Sequence, residues 1–435
     1  MSVAEMFSQF LTNLAIGNSE DISYRYGQIT GALNKHFRDT ESKEANTLQV
    51  GSFGRKTAID GISDLDMLYI VPRSKWNTYN TQGGQLKLLQ DTKSAILNRY
   101  PSTDIRVDRL VVTVTYTDFH VEVQPVFEQD DLSYKYPDTK NGGSWKITKP
   151  REEMNEVAAK DAVKNSNLRR LCKMARAWKN KHGVGLGGLL IDTLAYNFLV
   201  STEEYDSKSF LYYDYLSRDF FKYLSEQPDQ DRYAAPGSGQ HVKVKQKFQS
   251  KAKKAHDLCL KAIEAEGQAN VYDKWKALYG RPFPAAQEAS TEARAARNWD
   301  DTEEFIENKF PVDIRFEMKI DCEVKQNGFR KFFLSEVLRR RIPLRSNKSL
   351  AFKVDEISVR EPYSIYWKVL NRGDEAQRRN CIRGQIVPDN GNLKKAESTN
   401  FRGDHVVECY CVKDGVVVAK DRIHVPIVAD GSDYD

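Results

Sequence analysis

Three acidic residues in two short alternating stretches are where side-chain type and spacing first suggest chemistry. Asp64 and Asp66 flank Leu65, and Glu122 sits in the run His120-Val121-Glu122-Val123-Gln124. In an extended strand, residues i and i+2 project from the same face. Asp64 and Asp66 therefore point together while Leu65 turns toward a core. In the second stretch His120, Glu122 and Gln124 share one face, and Phe119, Val121 and Val123 share the other. Two adjacent strands can present all three carboxylates to one cleft. Crowded carboxylates raise one another's pKa unless a cation neutralises them. Hard divalent ions such as Mg²⁺ want oxygen ligands, and two of them can clamp the attacking and leaving oxygens of a phosphoryl transfer.

About a dozen residues upstream lies Gly51-Ser52-Phe53-Gly54-Arg55-Lys56. Gly51 and Gly54 permit close backbone approach, and the Ser52 hydroxyl with nearby amides can hold a triphosphate. Arg55 and Lys56 add positive charge at that mouth. An isolated D-x-D is ordinarily a solvated strand entry. The joint pattern of glycine-serine turn, paired aspartates and a third strand acid is far more specific.

The elements that must position these residues are legible from period and punctuation. Residues 1–40 read as two helices broken at Gly17-Asn18-Ser19, and Leu65–Val71 reads as a strand stopped by Pro72. A helix is expected over Gln85–Leu97. Alternation from Ile105 through Val114, a turn near Thr117-Asp118 and a return along Phe119–Phe127 give a hairpin signal. Residues 151–270 read as helical. Asn165–Lys181 is the clearest helix, with Leu168, Leu171, Ala175 and Trp178 on one stripe and Arg169, Lys173, Arg176 and Asn180 nearly opposite. That basic stripe either faces a cleft or is simply solvated. The stretch 285–300, rich in Ala and Glu, reads as a linker helix or joint. After Pro311 short alternating strands dominate, with turn signals at Asn371-Arg372-Gly373, Pro388–Gly391 and Asp414-Gly415.

With 435 residues, 40% hydrophobic and 29% charged, the chain suits a globular protein of two or three domains. A net charge of +5 fits a handler of anionic small molecules and is no proof of nucleic-acid binding. Seven lysines between Lys243 and Lys261 lack interleaved aromatics, so a solvated face is expected there in preference to a nucleic-acid site. Nothing near Met1 resembles a secretion signal. The apolar stretch Gly183–Val200 carries Asp192 and four glycines, and reads as a buried helix with no membrane role. The six cysteines have no C-x-x-C spacing. A reducing cytoplasm is expected, with Cys409 and Cys411 as core side chains.

Gly51-Ser52, Asp64-x-Asp66 and the later strand carboxylate resemble the polymerase-β-like nucleotidyltransferase superfamily. The wider layout, over about residues 1–290, resembles the SMODS family of CD-NTases, bacterial relatives of cyclic GMP-AMP synthase and oligoadenylate synthase. Supporting landmarks are Ala177-Trp178-Lys179, the helix Leu189–Leu194, and Trp275 followed by Phe283-Pro284. The resemblance implies an α+β protein: a nucleotidyltransferase lobe (1–164), a helical lobe (165–290), a linker (291–310) and a separate all-β sandwich-like domain (311–435). It implies that Asp64, Asp66 and Glu122 hold two Mg²⁺ or Mn²⁺ ions, that Gly51 and Ser52 contact donor phosphates, and that a basic helix residue grips the triphosphate. The family's third acid is more often aspartate. Its helix lysine lies just before the tryptophan, where this chain has Arg176, with Lys173 one turn earlier; Gly188 stands where a second serine is often found.

The implied activity condenses nucleoside triphosphates into a cyclic di- or trinucleotide that acts through a separate effector protein in antiphage defence. The alternatives are linear oligonucleotides, nucleotide transfer to protein or RNA, and a nucleotide sensor without catalysis. Residues 311–428, with Ile365–Gly373, Cys381–Gly384, Glu397–Thr399, Arg402–His405 and Glu408–Tyr410, resemble the AGS-C module, which implies a regulatory nucleotide or other ligand there. Asn371, Arg383, Arg402, His405 and Glu408 either gather to bind an anion or merely satisfy turns around core Trp367 and Tyr410.

Overall fold

The computed structural model describes residues 2–61, 64–285 and, with short breaks, 304–428. They fall into two units, Met1–Lys181 with Leu186–Ala285, and His182–Gly185 with Ala286–Asp435. The stretch expected to join two domains, 285–300, lies almost wholly outside the described residues.

In the first unit α1 (Val3–Asn13) opens on a capping box, Ser2 and Glu5 each satisfying the other's backbone N–H. Then come α2 (Ser19–Arg38), β1 (Thr47–Gln49), the single turn α3 (Gly51–Gly54), β2 (Asp64–Ile70), α4 (Trp76–Tyr79) and α5 (Gly84–Arg99). Five more strands follow: β3 (Asp104–Val107), β4 (Val112–Thr115), β5 (His120–Glu128), β6 (Tyr134–Asp138) and β7 (Ser144–Thr148). The sheet runs β1-β2-β5-β4-β3, and β6 pairs both β5 and β7. β2 and β5 are parallel, and β4 and β5 form the expected hairpin. α2 and α5 supply Ile22, Ile29, Leu33, Leu88 and Ile96 to a core that takes Leu65, Met67, Tyr69, Val121 and Val123 from the sheet. A slip of one residue in either strand would carry its acids into that core, so burial fixes the register.

The chain continues as α6 (Pro150–Val163), α7 (Asn167–His182), α8 (Gly188–Val200), α9 (Tyr213–Ser225), the hairpin β8 (Arg232–Ala234) and β9 (His241–Lys243), α10 (Gln249–Glu264) and α11 (Val271–Tyr279). The hairpin departs from the all-helical expectation, and Pro236-Gly237-Ser238-Gly239 is its turn. On α7, Leu168, Leu171, Ala175 and Trp178 are all buried. α10 buries Ala252, Ala255, Cys259 and Ala262, leaving Lys253, Lys254 and Lys261 exposed on its outer side. α1 packs back on this helical part: Phe7 meets Trp275 at 5.0 Å, and Phe10 meets Tyr279 at 4.7 Å. Among the described residues no helix is long and apolar enough to cross a membrane.

The second unit holds β10 (Met318–Lys325), β11 (Phe332–Phe333), β12 (Leu344–Arg345), β13 (Ser349–Ile357), β14 (Ser364–Leu370), β15 (Arg383–Pro388), β16 (Lys394–Ser398), β17 (Gly403–Lys413) and β18 (Val416–Val428). They form a four-stranded sheet, β11-β10-β13-β16, and a five-stranded one, β12-β18-β17-β14-β15. Phe352 and Cys322 of the first sheet share a core with Trp367, Val407, Cys409 and Cys411 of the second. Both cysteines are buried there as expected. The other face of the five-stranded sheet is covered by Ile306, Val312 and Ile314, which pack on Ile386, Tyr410 and Val417. Ile306 and Phe310, expected within a linker, are therefore part of this domain.

One buried cluster joins the sheet of the first unit to its helices. Asp192 on α8 is fully buried. It accepts hydrogen bonds from Arg55 Nε at 2.8 Å, Thr57 Oγ1 at 2.9 Å and Arg176 Nη1 at 2.5 Å. Arg55 also faces Glu153 of α6 at 3.6 Å, so two guanidiniums meet two carboxylates. Burial pushes the Asp192 carboxyl upward, but Arg176 and Arg55 outweigh it and hold the pKa down at about 2, against 3.8 in an unfolded chain. Burial raises that of Glu153. Removing one member of a buried ion pair strands its partners, and Asp192→Asn is expected to lower stability by about 3–5 kcal/mol, measured by denaturant unfolding at pH 7. A depressed carboxylate stabilises the fold above its unfolded pKa and loses that effect as pH falls through the folded one. The gap between wild type and Asp192→Asn should therefore narrow between about pH 4 and pH 2.

Candidate active site

Each rung of the β2–β5 ladder carries one residue from each strand. Asp66 lies opposite Glu122, and Asp64 lies opposite His120. The three acids predicted from sequence thus share one face on neighbouring rungs, with Leu65, Met67, Val121 and Val123 buried on the reverse. Thr113 and Thr115 of β4 extend this face beside Glu122 and His120. Asp64, Asp66 and Glu122 are half-buried, partly shielded from water yet within reach of a ligand. His120, not singled out from sequence as a site residue, brings Nε2 to 3.9 Å from Asp64 Oδ1. Its alternation with Glu122 was the available signal. Among the described residues, no three His, Cys, Asp or Glu side chains are already drawn together as a metal-binding group.

The glycine-serine turn abuts the acids. Val50 N–H donates to the Asp66 carbonyl at 3.0 Å. The chain then turns through Gly51 at φ +64°, a left-handed conformation that favours glycine. A Cβ at Gly51 would collide with the Asp66 carboxylate. Gly51 is thus required by its neighbour as well as by its backbone. Gly54 serves packing: a Cβ there would stand 2.5 Å from the Gln49 carbonyl oxygen. The Ser52 carbonyl accepts the Thr57 and Ala58 N–H groups at 2.9 and 3.2 Å, which ties the turn to the loop before β2. Its side chain is half-buried.

The basic residues sort differently from expectation. Arg55 and Arg176, expected at a bound nucleotide, are 4% and 6% exposed and are committed to Asp192. Arg176 also donates to the Gly188 carbonyl at 3.1 Å. Both therefore brace the junction of sheet and helices. Arg169 donates to the Arg55 carbonyl at 3.0 Å and faces Asp161 at 3.5 Å, so the α7 stripe is neither solvated nor wholly open to a cleft. Lys173, on the same stripe, is only half-buried. Burial, and then the neighbouring Arg169, lower its pKa, the signature of a cation in a positive, partly dry setting. In the second unit, Arg383 forms a two-pronged pair with Glu397. Glu408 lies on the opposite face of β17, 3.5 Å from Lys368, so it cannot join Arg383 and His405 at one anion site. Arg402 lies outside the described residues.

Residues 1–161 match the family model for the Second Messenger Oligonucleotide or Dinucleotide Synthetase domain, SMODS. Residues 300–428 match that for the Adenylyl/Guanylyl and SMODS C-terminal sensor domain, AGS-C. No curated protein matches. Among solved structures, CdnC of Escherichia coli MS115-1, in complex with HORMA-deltaN, gives a TM-score of 0.50 at 14% identity, over 65% of this chain and 98% of that one. Apo DncV of Vibrio cholerae gives 0.46 at 15% identity, over 55% and 69%. CdnG of Bradyrhizobium diazoefficiens, in complex with GTP, gives 0.47 at 10% identity, over 64% and 95%. At 14% identity the CdnC likeness is one of fold, over 65% of this chain. With both family models matched in this order, the chain belongs to the CD-NTases, as a SMODS nucleotidyltransferase with a C-terminal AGS-C domain.

Proposed function

We propose that the first unit condenses nucleoside triphosphates into a cyclic di- or trinucleotide. A hydroxyl of one nucleotide attacks the α-phosphate of another, and pyrophosphate leaves. The observation that carries this reading is the rung Asp66–Glu122 with Asp64 beside it, set against a turn whose Gly51 leaves room for the Asp66 carboxylate. Three carboxylates on one half-buried face fit hard divalent cations, and the space kept at Gly51 holds Asp66 clear of the turn's backbone. Asp64, Asp66 and Glu122 would hold two Mg²⁺ or Mn²⁺ ions. When bound, such ions neutralise phosphate charge and make the attacking hydroxyl more acidic.

The chain's own groups supply position. Ser52 and the amides of its turn hold the donor triphosphate, and Lys173 neutralises its far end. Arg55 and Arg176 act indirectly, as positioning residues, by fixing that turn through Asp192. We assign the product a signalling role in antiphage defence, read by a separate effector protein. The AGS-C domain would take a regulatory nucleotide or other ligand. A reducing cytoplasm suits six unpaired cysteines.

The test is incubation of the full chain with Mg²⁺ and the four ribonucleoside triphosphates, singly and in pairs, with products identified by mass after phosphatase treatment. A phosphatase-resistant ring is expected. A product with removable terminal phosphates would overturn cyclisation while leaving nucleotidyl transfer. Asp64→Ala and Asp66→Ala should each cut turnover by at least about 10³-fold with unchanged thermal melting, and Glu122→Gln should be nearly as severe. Full turnover in either aspartate variant would refute the ligand assignment. Gly51→Ala, which touches no substrate through its own side chain, should still lose about 100-fold or more, because its methyl displaces Asp66 and strains the turn. Wild-type turnover in that variant would show that Asp66 need not stay where it is.

A further inference from the structure

Between the two sheets of the second unit lies a cavity of about 310 Å³. Close-packed interiors leave few voids larger than a water molecule, and this one could hold about ten. Leu350 and Phe352 of β13 line it from one sheet, and Val407 of β17 with Ile427 of β18 line it from the other. Facing sheets stand about 10 Å apart, so a planar ring fits between such walls. The volume is at the lower end of the roughly 300–1,000 Å³ usual for small-molecule sites. It has room for a base or a nucleoside.

The polar groups in the lining are Asn371, Cys381, Arg383, Glu397, Ser398 and His405. Arg383 at first suggests a phosphate. Its Nη1 and Nη2, however, donate to the two Glu397 carboxylate oxygens at 2.6 and 2.9 Å. That pair is neutral overall, and its carboxylate repels a phosphate brought near. Asn371 is equally prearranged: Nδ2 donates to the Cys381 carbonyl at 2.8 Å, which fixes its amide and directs Oδ1 elsewhere as an acceptor. A slot with apolar walls, edged by an oriented amide, a neutral ion pair and the imidazole of His405, matches the edge of a heterocycle, which carries donors and acceptors without charge.

We propose that this cavity is a ligand site that reads an uncharged nucleobase, as the free base or nucleoside, and that phosphate contributes nothing to its affinity. Catalysis in the first unit is not needed for it.

The test uses the full chain with adenosine, guanosine, cytidine and uridine, which carry no triphosphate to be consumed, and with their 5′-monophosphates, by equilibrium dialysis. One nucleoside is expected to saturate a single site per chain, with its monophosphate binding no more tightly. Asn371→Leu should weaken it about tenfold or more, with thermal melting as the check on folding. Glu397→Gln supplies a second readout that a purely structural pair would not move. Once the carboxylate is gone, Arg383 is released, and preference should shift toward the monophosphate. The proposal is overturned if no nucleoside saturates below about 1 mM, if the wild type prefers the monophosphate, or if Asn371→Leu binds as wild type. A chain that binds nucleoside yet makes no product would sink the catalytic reading alone, and the converse would sink this one alone.

Discussion

The first unit depends on a carboxylate with no water around it. Asp192 lies at the meeting of three elements that need not otherwise touch: the loop after the glycine-serine turn, α7 and α8. An isolated buried charge would cost far more than the fold can spare. Here Arg55, Arg176 and Thr57 converge on it, and Glu153 gives the Arg55 guanidinium a second carboxylate. Each hydrogen bond has a preferred direction, so the cluster sets an orientation as well as an attraction. The turn beside the acids is consequently held by groups that need never touch substrate. Arg169 adds a strut by capturing the Arg55 carbonyl.

A second constraint comes from the sheet. α2 and α5 bury one face completely, so alternation leaves the acids nowhere to go but the other face. The same face changes character along β2: Leu68 and Ile70 pack with Val50, Val126 and Tyr134 in a small apolar cluster. The polar patch is thus limited to the start of the strand, next to Gly51. A ligand with a charged tail and an apolar body would meet both environments within a few residues.

Much of this was legible in the sequence, and the rest was not for identifiable reasons. Alternation located β2 and β5 and gave the faces of Leu65, Val121 and the acids, because period two is a property of a single strand. It could not give the pairing of Asp66 with Glu122, which depends on two parallel strands brought side by side across more than fifty residues of intervening chain. The stripe on α7 was likewise correct as a stripe. What meets it was invisible, since Arg176 pairs with a residue on the next helix and Arg55 with one 137 positions away. Helical period tells which side chains travel together and says nothing about what they meet. The β8–β9 hairpin escaped because three-residue strands carry too few alternations to register.

The second unit repeats the lesson in a sheet. Alternation on β17 sends Val407, Cys409 and Cys411 inward and Glu408 and Tyr410 outward, which was enough to part Glu408 from His405, two of the proposed anion ligands. An outward face is usually a wet one, and here it is not: Ile306, Val312 and Ile314 cover it, and Lys368 is 3% exposed. A buried lysine needs a counter-charge, and Glu408 at 3.5 Å is that counter-charge. Glu408 is thereby bound to one side of the sheet by an electrostatic need, while Glu397 satisfies Arg383 on the other. Glu408 and Arg383, two members of the cluster seen in the sequence, thus belong to separate pairs, and neither pair brings net charge to the space between the sheets.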